Sequence, residues 1–207
     1  MTNPKQTLRA GVLGCGAIGT RGHIPGFQAA GIEVVAVCDA NLVRAQSVAK
    51  EMRIARAYSD YNELLADKEV DVVSVGLPNY LHTPVTIAAL EAGKHVLCEK
   101  PFATRSADAE RMIATAQRTG KMLSINQHMR FEGASRAMRE AVAAGRLGHV
   151  YLADVRMIRS AGIPGFGSWF TNKDLAGLAR SSILACTCSI SPCSSSASPK
   201  SRACVAA

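Results

Sequence analysis

Gly14-Cys15-Gly16-Ala17-Ile18-Gly19 follows the apolar run Gly11-Val12-Leu13 and opens into a segment with helical spacing. Strand, glycine-rich turn and helix in that order form a cradle for a dinucleotide. The first glycine permits a sharp turn, the second lets the backbone approach a pyrophosphate, and the third lets the helix pack closely on the sheet. The leading N–H groups of the helix lack intrahelical acceptors and can meet phosphate oxygens. Cofactor contacts are therefore expected from Gly14, Gly16, Ala17, Ile18 and Gly19. Glycine turns that bind nothing share this pattern, so its context matters. A second apolar run, Glu33 to Cys38, ends at Asp39, about 20 residues beyond the loop, where a ribose-binding acid belongs. A carboxylate there accepts the ribose hydroxyls and repels a 2′-phosphate, which favours NAD over NADP. Arg44 opposes this preference if it meets a phosphate, although an arginine on an exposed helix start is more commonly only solvated.

Further along, the chain alternates between apolar runs and helical spacing, the pattern of a doubly wound parallel α/β sheet. Residues 17–30 read as the first crossover helix, broken or bent at Pro25-Gly26, with His23 and Pro25 near the cofactor end. Leu42 to Met52 is a helix, Ala55 to Tyr58 a short strand, and Tyr61 to Ala66 a short helix. Asp71 to Val75 reads as a strand buried on both faces. It delivers Gly76-Leu77-Pro78-Asn79-Tyr80-Leu81-His82 to the carboxyl edge of the sheet, where open α/β sheets bind ligands. Thr83 to Ala92 is the next helix; His95 to Cys98 is a strand that ends in Glu99-Lys100-Pro101. Ser106 to Thr119 is amphipathic, and Met122 to Asn126 is the sixth strand, followed by Gln127-His128-Met129-Arg130-Phe131.

The glycine loop, Pro78-Asn79-x-x-His82 and Gly93-Lys94-His95-Val96-Leu97-Cys98-Glu99-Lys100-Pro101 together resemble the Gfo/Idh/MocA oxidoreductases over residues 8–177. That family is named for glucose-fructose oxidoreductase, inositol dehydrogenase and a rhizopine-catabolism protein. The resemblance implies an N-terminal Rossmann domain that binds NAD or NADP. It also implies a C-terminal α/β domain whose open sheet supplies most of the substrate pocket and the oligomer face. Carried over, Lys100 is the catalytic-motif lysine, Glu99 a second catalytic group near the nicotinamide, and Pro101 the turn. A cation beside a carbinol oxygen suits hydride transfer, because it stabilises the alkoxide that develops as the proton leaves. By the same resemblance Pro78, Asn79, His82, Glu99 and Lys100 lie at the cofactor. Arg130, in an Arg-Phe pair that marks the passage to the second domain, contacts substrate or cofactor or serves as a hinge.

The expected domains are 1–128 for cofactor binding, 129–177 for the start of the second domain, and 178–207 for a disordered tail. Phe131 to Ala144 reads as a helix and Val150 to Met157 alternates like an opening strand. Trp169 to Gly177 looks like the family segment before a glycine-rich turn, which in relatives leads to Asp-Ile-Gly-x-His. Instead, 178–207 is rich in Ser, Cys and Ala, with no clear period. If Leu178 to Cys193 is encoded by suitable codons, skipping two bases yields Gly-Ala-Leu-Leu-Asp-Ile-Gly-Val-His-Met-Leu-Asp-Leu-Ser-Leu, the family motif. The abrupt change is therefore expected to mark a frameshift near Gly177 that truncates the second domain. Sequencing the DNA tests this, and codons that do not give the motif in the alternate frame refute it.

A chain of 207 residues holds one good core, or one core and part of a second. With 48% hydrophobic and 19% charged residues, and no apolar run of the ~18 or more that a bilayer crossing needs, a soluble cytoplasmic protein without an export signal or membrane partner is expected. The net charge of +8 comes from scattered Lys and Arg, which argues against nucleic acid. Cys186, Cys188, Cys193 and Cys204 lack the paired spacing of a zinc site, and no metal is expected. Two functions remain. One is an oxidoreductase acting on a sugar, polyol or related hydroxy compound, impaired in this chain. The other is a non-catalytic NAD(P)-binding or interaction protein that retains the Rossmann half. A homo-oligomer follows from the resemblance, but the face that would form it is largely missing here.

Overall fold

The computed structural model describes residues 8–152. Six parallel strands are ordered β3-β2-β1-β4-β5-β6. They are β1 Arg9–Leu13, β2 Glu33–Cys38, β3 Arg56–Tyr58, β4 Val72–Val75, β5 His95–Glu99 and β6 Leu123–Asn126. Between them run α1 Ile24–Ala29, α2 Leu42–Met52, α3 Tyr61–Ala66, α4 Asn79–Glu91 and α5 Ser106–Thr119. Strand order reverses between β1 and β4, which leaves a crevice at their carboxyl ends, the usual ligand site of a doubly wound sheet.

Apolar strand residues face helices on both sides, so the sheet carries two cores. On one side Leu13, Val35, Val73, Val75, Val85, Leu90 and Met112 pack together. On the other Ala10, Val12, Ile24, Val34, Val37 and Val48 do so. These buried rows make the sheet a rigid base for the loops at its carboxyl edge. Helix ends follow local chemistry. Asn41 Oδ1 accepts the Arg44 N–H to cap α2, and Asp60 accepts the Asn62 N–H to cap α3.

Four details differ from the sequence expectations. The first crossover helix does not break at Pro25. A π-helical turn, Gly19–His23, runs directly into α1, and the Ile24 N–H reaches back to the Gly19 carbonyl. The wider turn lets the helix continue where proline cannot donate an N–H. Helix α4 starts at Asn79 rather than Thr83, with Pro78 at its N-cap and Pro84 inside it. The expected helix from Phe131 resolves into a 3₁₀ turn, His128–Phe131, and α6, Gly133–Ala143, which has no buried residue. Val150, Tyr151 and Leu152 are not in a strand; the rest of that expected strand, Trp169 to Gly177 and the tail cysteines lie outside the described residues. Among the described residues, no helix is long and apolar enough to cross a membrane.

Candidate active site

The glycine loop sits where β1 and β4 part. Gly14 has φ +102, and its N–H donates to the Cys38 carbonyl at 2.8 Å. A Cβ on Gly14 would run into the Gly76 carbonyl at the end of β4, and one on Gly19 would run into the Gly14 carbonyl. Both positions are closed to larger residues by backbone. Gly16 differs: a Cβ there would meet nothing within 4 Å, so its backbone faces open space. A close-packed turn whose middle glycine is open is the shape a pyrophosphate requires, and the residues present fit a dinucleotide. Ala17 and Ile18 lead from this opening into the π turn, and Ile18 is partly exposed.

Asp39 follows β2 beside the loop. One carboxylate oxygen accepts the Cys15 N–H at 3.1 Å and lies 3.4 Å from the Arg44 guanidinium; the other accepts the Asn41 N–H at 2.9 Å. The acid is thus oriented by the loop that it serves, while Arg44 remains half exposed. The neighbouring thiols are free, and burial pushes Cys15 up to about 11 and Cys38 up to about 12, so neither is a nucleophile.

At the carboxyl end of β5, Glu99-Lys100-Pro101 turns across the same edge. Lys100 is half-buried, and its side chain has no hydrogen-bond or ion-pair partner among the described residues. Its backbone N–H donates to Glu99 Oε2 at 3.1 Å. Glu99, expected as a second catalytic group at the nicotinamide, is turned inward and is 5% exposed. Its Oε1 receives His23 Nε2 at 2.9 Å and Asn126 Nδ2 at 2.6 Å. Burial alone raises this carboxyl, but the bonds from His23, Asn126 and the Lys100 N–H outweigh it and hold Glu99 below the usual carboxylate range.

His82, expected beside the cofactor, is buried in the first turns of α4. Its Nδ1 lies 2.7 Å from the Pro101 carbonyl and its Nε2 2.9 Å from the Leu77 carbonyl. Burial holds the imidazole below its ordinary value, while the Pro101 and Leu77 carbonyls act in the opposite direction. His82 thus braces the Lys100–Pro101 turn from below. Asn79 is also buried, whereas Pro78 is partly exposed at the helix cap. Arg130 lies exposed on the 3₁₀ turn after β6.

The sequence reading missed the pairing of His23 and Asn126 with Glu99. Each carried a faint signal. His23 closes the turn that opens at Gly19, and Asn126 ends the strand registered against β5, where it pairs with Glu99.

The description "Oxidoreductase family, NAD-binding Rossmann fold" (Gfo/Idh/MocA) matches residues 8–127. The chain belongs to this family. It is 40% identical over 171 residues to D-glucoside 3-dehydrogenase of Escherichia coli strain K12, covering 82% of this chain and 48% of that one. Among solved structures, the WlbA dehydrogenase of Bordetella pertussis, in complex with NADH and UDP-GlcNAcA, superposes with a TM-score of 0.66. It is 30% identical, over 70% of this chain and 45% of that one. KijD10, a 3-ketoreductase of Actinomadura kijaniata in complex with TDP-benzene and NADP, gives a TM-score of 0.61 at 34% identity, over 67% and 44% of the two chains. The chain spans about half the length of the curated relatives it matches.

Proposed function

We propose that this chain supplies the cofactor cradle and the lysine of an NAD(P)-dependent oxidoreductase acting on a sugar, polyol or related hydroxy compound. The observation that carries the reading is Lys100, a cation with no side-chain partner among the described residues, at the carboxyl edge of the sheet that also presents the Gly14–Gly19 cradle. A bound nicotinamide supplies the hydride acceptor or donor. Gly14, Gly16, Ala17, Ile18 and Gly19 hold the pyrophosphate, and Asp39 orients the adenosine ribose. Pro78, with the start of α4, borders the cofactor crevice. Lys100 stabilises the alkoxide as the substrate hydroxyl loses its proton. Arg130 stands at the exit from the sixth strand, on the side open to substrate. The protein acts in the cytoplasm.

NAD is the favoured cofactor, because Asp39 repels a 2′-phosphate. Calorimetric titration of the chain with NAD and NADP tests this. NAD is expected to bind more tightly, and Asp39→Ser to weaken NAD about 10-fold, the worth of a hydrogen bond to a charged acceptor. Tighter NADP binding by the unaltered chain assigns the preference to Arg44 instead, and the absence of both affinities refutes the cradle. The competing reading, a non-catalytic NAD(P)-binding or interaction protein, gives cofactor binding with no turnover on a panel of sugars and polyols.

A further inference from the structure

We propose that His23 is a positioning residue that ties the phosphate-cradle helix to the Lys100 turn through the buried carboxylate of Glu99, with Asn126 as a second clamp. Naming Lys100 as the group being positioned rests on the proposed function; the cluster itself does not. Three segments far apart in sequence meet here. His23 ends the π turn that begins at Gly19, Glu99 ends β5, and Asn126 ends β6. The side chains of His23 and Glu99 are 2% and 7% exposed, so water does not compete for these bonds.

The donor pattern follows from the contacts. Both Glu99 oxygens accept, Oε1 from His23 and Asn126 and Oε2 from the Lys100 N–H. An ionised carboxylate satisfies all three, and it fixes the Asn126 amide with nitrogen toward Glu99. It also places the His23 proton on Nε2, so the 3.3 Å approach of Asn126 Nδ2 to His23 Nε2 brings two donors together and adds no bond to the clamp. A bare Nε2 facing a carboxylate at 2.9 Å would be repelled, and His23 Nδ1 is buried without a partner, where an N–H would be orphaned. The other groups around Glu99 are His82 on α4 and Cys98, the residue before it on β5. A shift of the cradle helix is therefore carried by His23 to the carboxylate that holds the Lys100 backbone.

The test uses amide exchange by NMR on the full chain. Lys100 N–H is expected to be protected in the unaltered protein and in His23→Gln, which keeps a side-chain N–H donor. In His23→Leu its protection falls about 10-fold or more, while the Gly14 N–H, bonded to Cys38, changes little. Equal losses at both amides, or the same loss in His23→Gln, would mean simple packing and overturn the proposal. The pH profile gives an independent sign. Glu99, depressed in the folded state, adds stability above its unfolded value that is lost as pH falls through its folded value. Without His23 the carboxyl is depressed less, held down only by Asn126 and the Lys100 N–H against burial, so the stability deficit of His23→Leu is larger at about pH 7 than at about pH 4. A deficit independent of pH contradicts the proposal. If His23→Leu does not fold, the unaltered protein decides by ¹⁵N shifts: a proton on Nε2 supports the assignment, and a bare Nε2 overturns it. Adding NAD is expected to raise Lys100 protection in the unaltered protein but not in His23→Leu. NAD that binds without this rise breaks the link, whereas NAD that does not bind refutes the proposed function and leaves the apo measurements to decide the positioning role.

Discussion

Gly14→Ala is expected to destabilise the domain by about 3 kcal/mol, whereas Gly16→Ala leaves stability within about 0.5 kcal/mol and weakens dinucleotide binding about 10- to 100-fold. The two glycines stand two positions apart in one loop, yet their surroundings are opposite. Gly14 combines φ +102 with a backbone carbonyl, from Gly76, in the space a methyl group would take. Neither conflict is relieved by rotating a side chain, so the loop must move away from β4, and the Gly14–Cys38 hydrogen bond is disturbed with it. Gly16 has neither problem in the free protein, and its added methyl group meets only the space a pyrophosphate would fill. Urea unfolding read beside calorimetric titration with NAD separates the effects. A Gly16→Ala protein that binds NAD as tightly as the unaltered chain shows that the phosphate does not pass over this residue. A Gly14→Ala protein of full stability shows that the loop can relax away from Gly76.

The contrast between these glycines marks what local sequence can say. The loop, the acid after β2 and the buried valine runs of β2 and β4 were legible, because each is written in spacing within a few residues. That the strands run parallel followed from the helical crossovers between the runs. The π turn was not legible, since a proline in a helical stretch signals a break unless the preceding turn can widen. The early start of α4 was hidden by Pro84, which looks like a first-turn residue but lies further inside. Nor could the inward turn of Glu99 be read. The motif puts it beside Lys100, and its neighbours in space, His23 and Asn126, are 76 and 27 positions away in the chain. The same distance in sequence concealed His82, whose ring meets Pro101 across 19 positions. Local motifs placed their residues at one edge of the sheet; which side chains face outward there depended on partners that no local pattern records.

Of the residues at that edge, Lys100 is the one whose removal is expected to cost catalysis most and binding least. Lys100→Met keeps the length and apolar stem of the side chain but removes its charge. On the oxidoreductase reading, turnover of a hydroxyl substrate falls about 10²- to 10⁴-fold, the range for losing a group that handles proton or charge at the reacting oxygen. The affinity for NAD changes by less than about 3-fold, because the cradle and Asp39 lie on other loops and the Lys100 side chain has no partner among the described residues whose loss would disturb them. Stability is held too, since the Lys100 contact with Glu99 is made by its backbone N–H. Steady-state rates, calorimetric titration and urea unfolding of the two proteins give the three comparisons. Rates that stay within 3-fold would remove Lys100 from the chemistry and point to a group supplied from elsewhere. Equal NAD binding with no turnover by either protein would select the non-catalytic reading. A general loss of stability would mean that the lysine stem packs the turn, and the drop in rate would then say nothing about charge. Only a fall in rate with binding and stability intact ties the reaction to the ammonium group, because the substitution leaves every backbone contact of the turn in place.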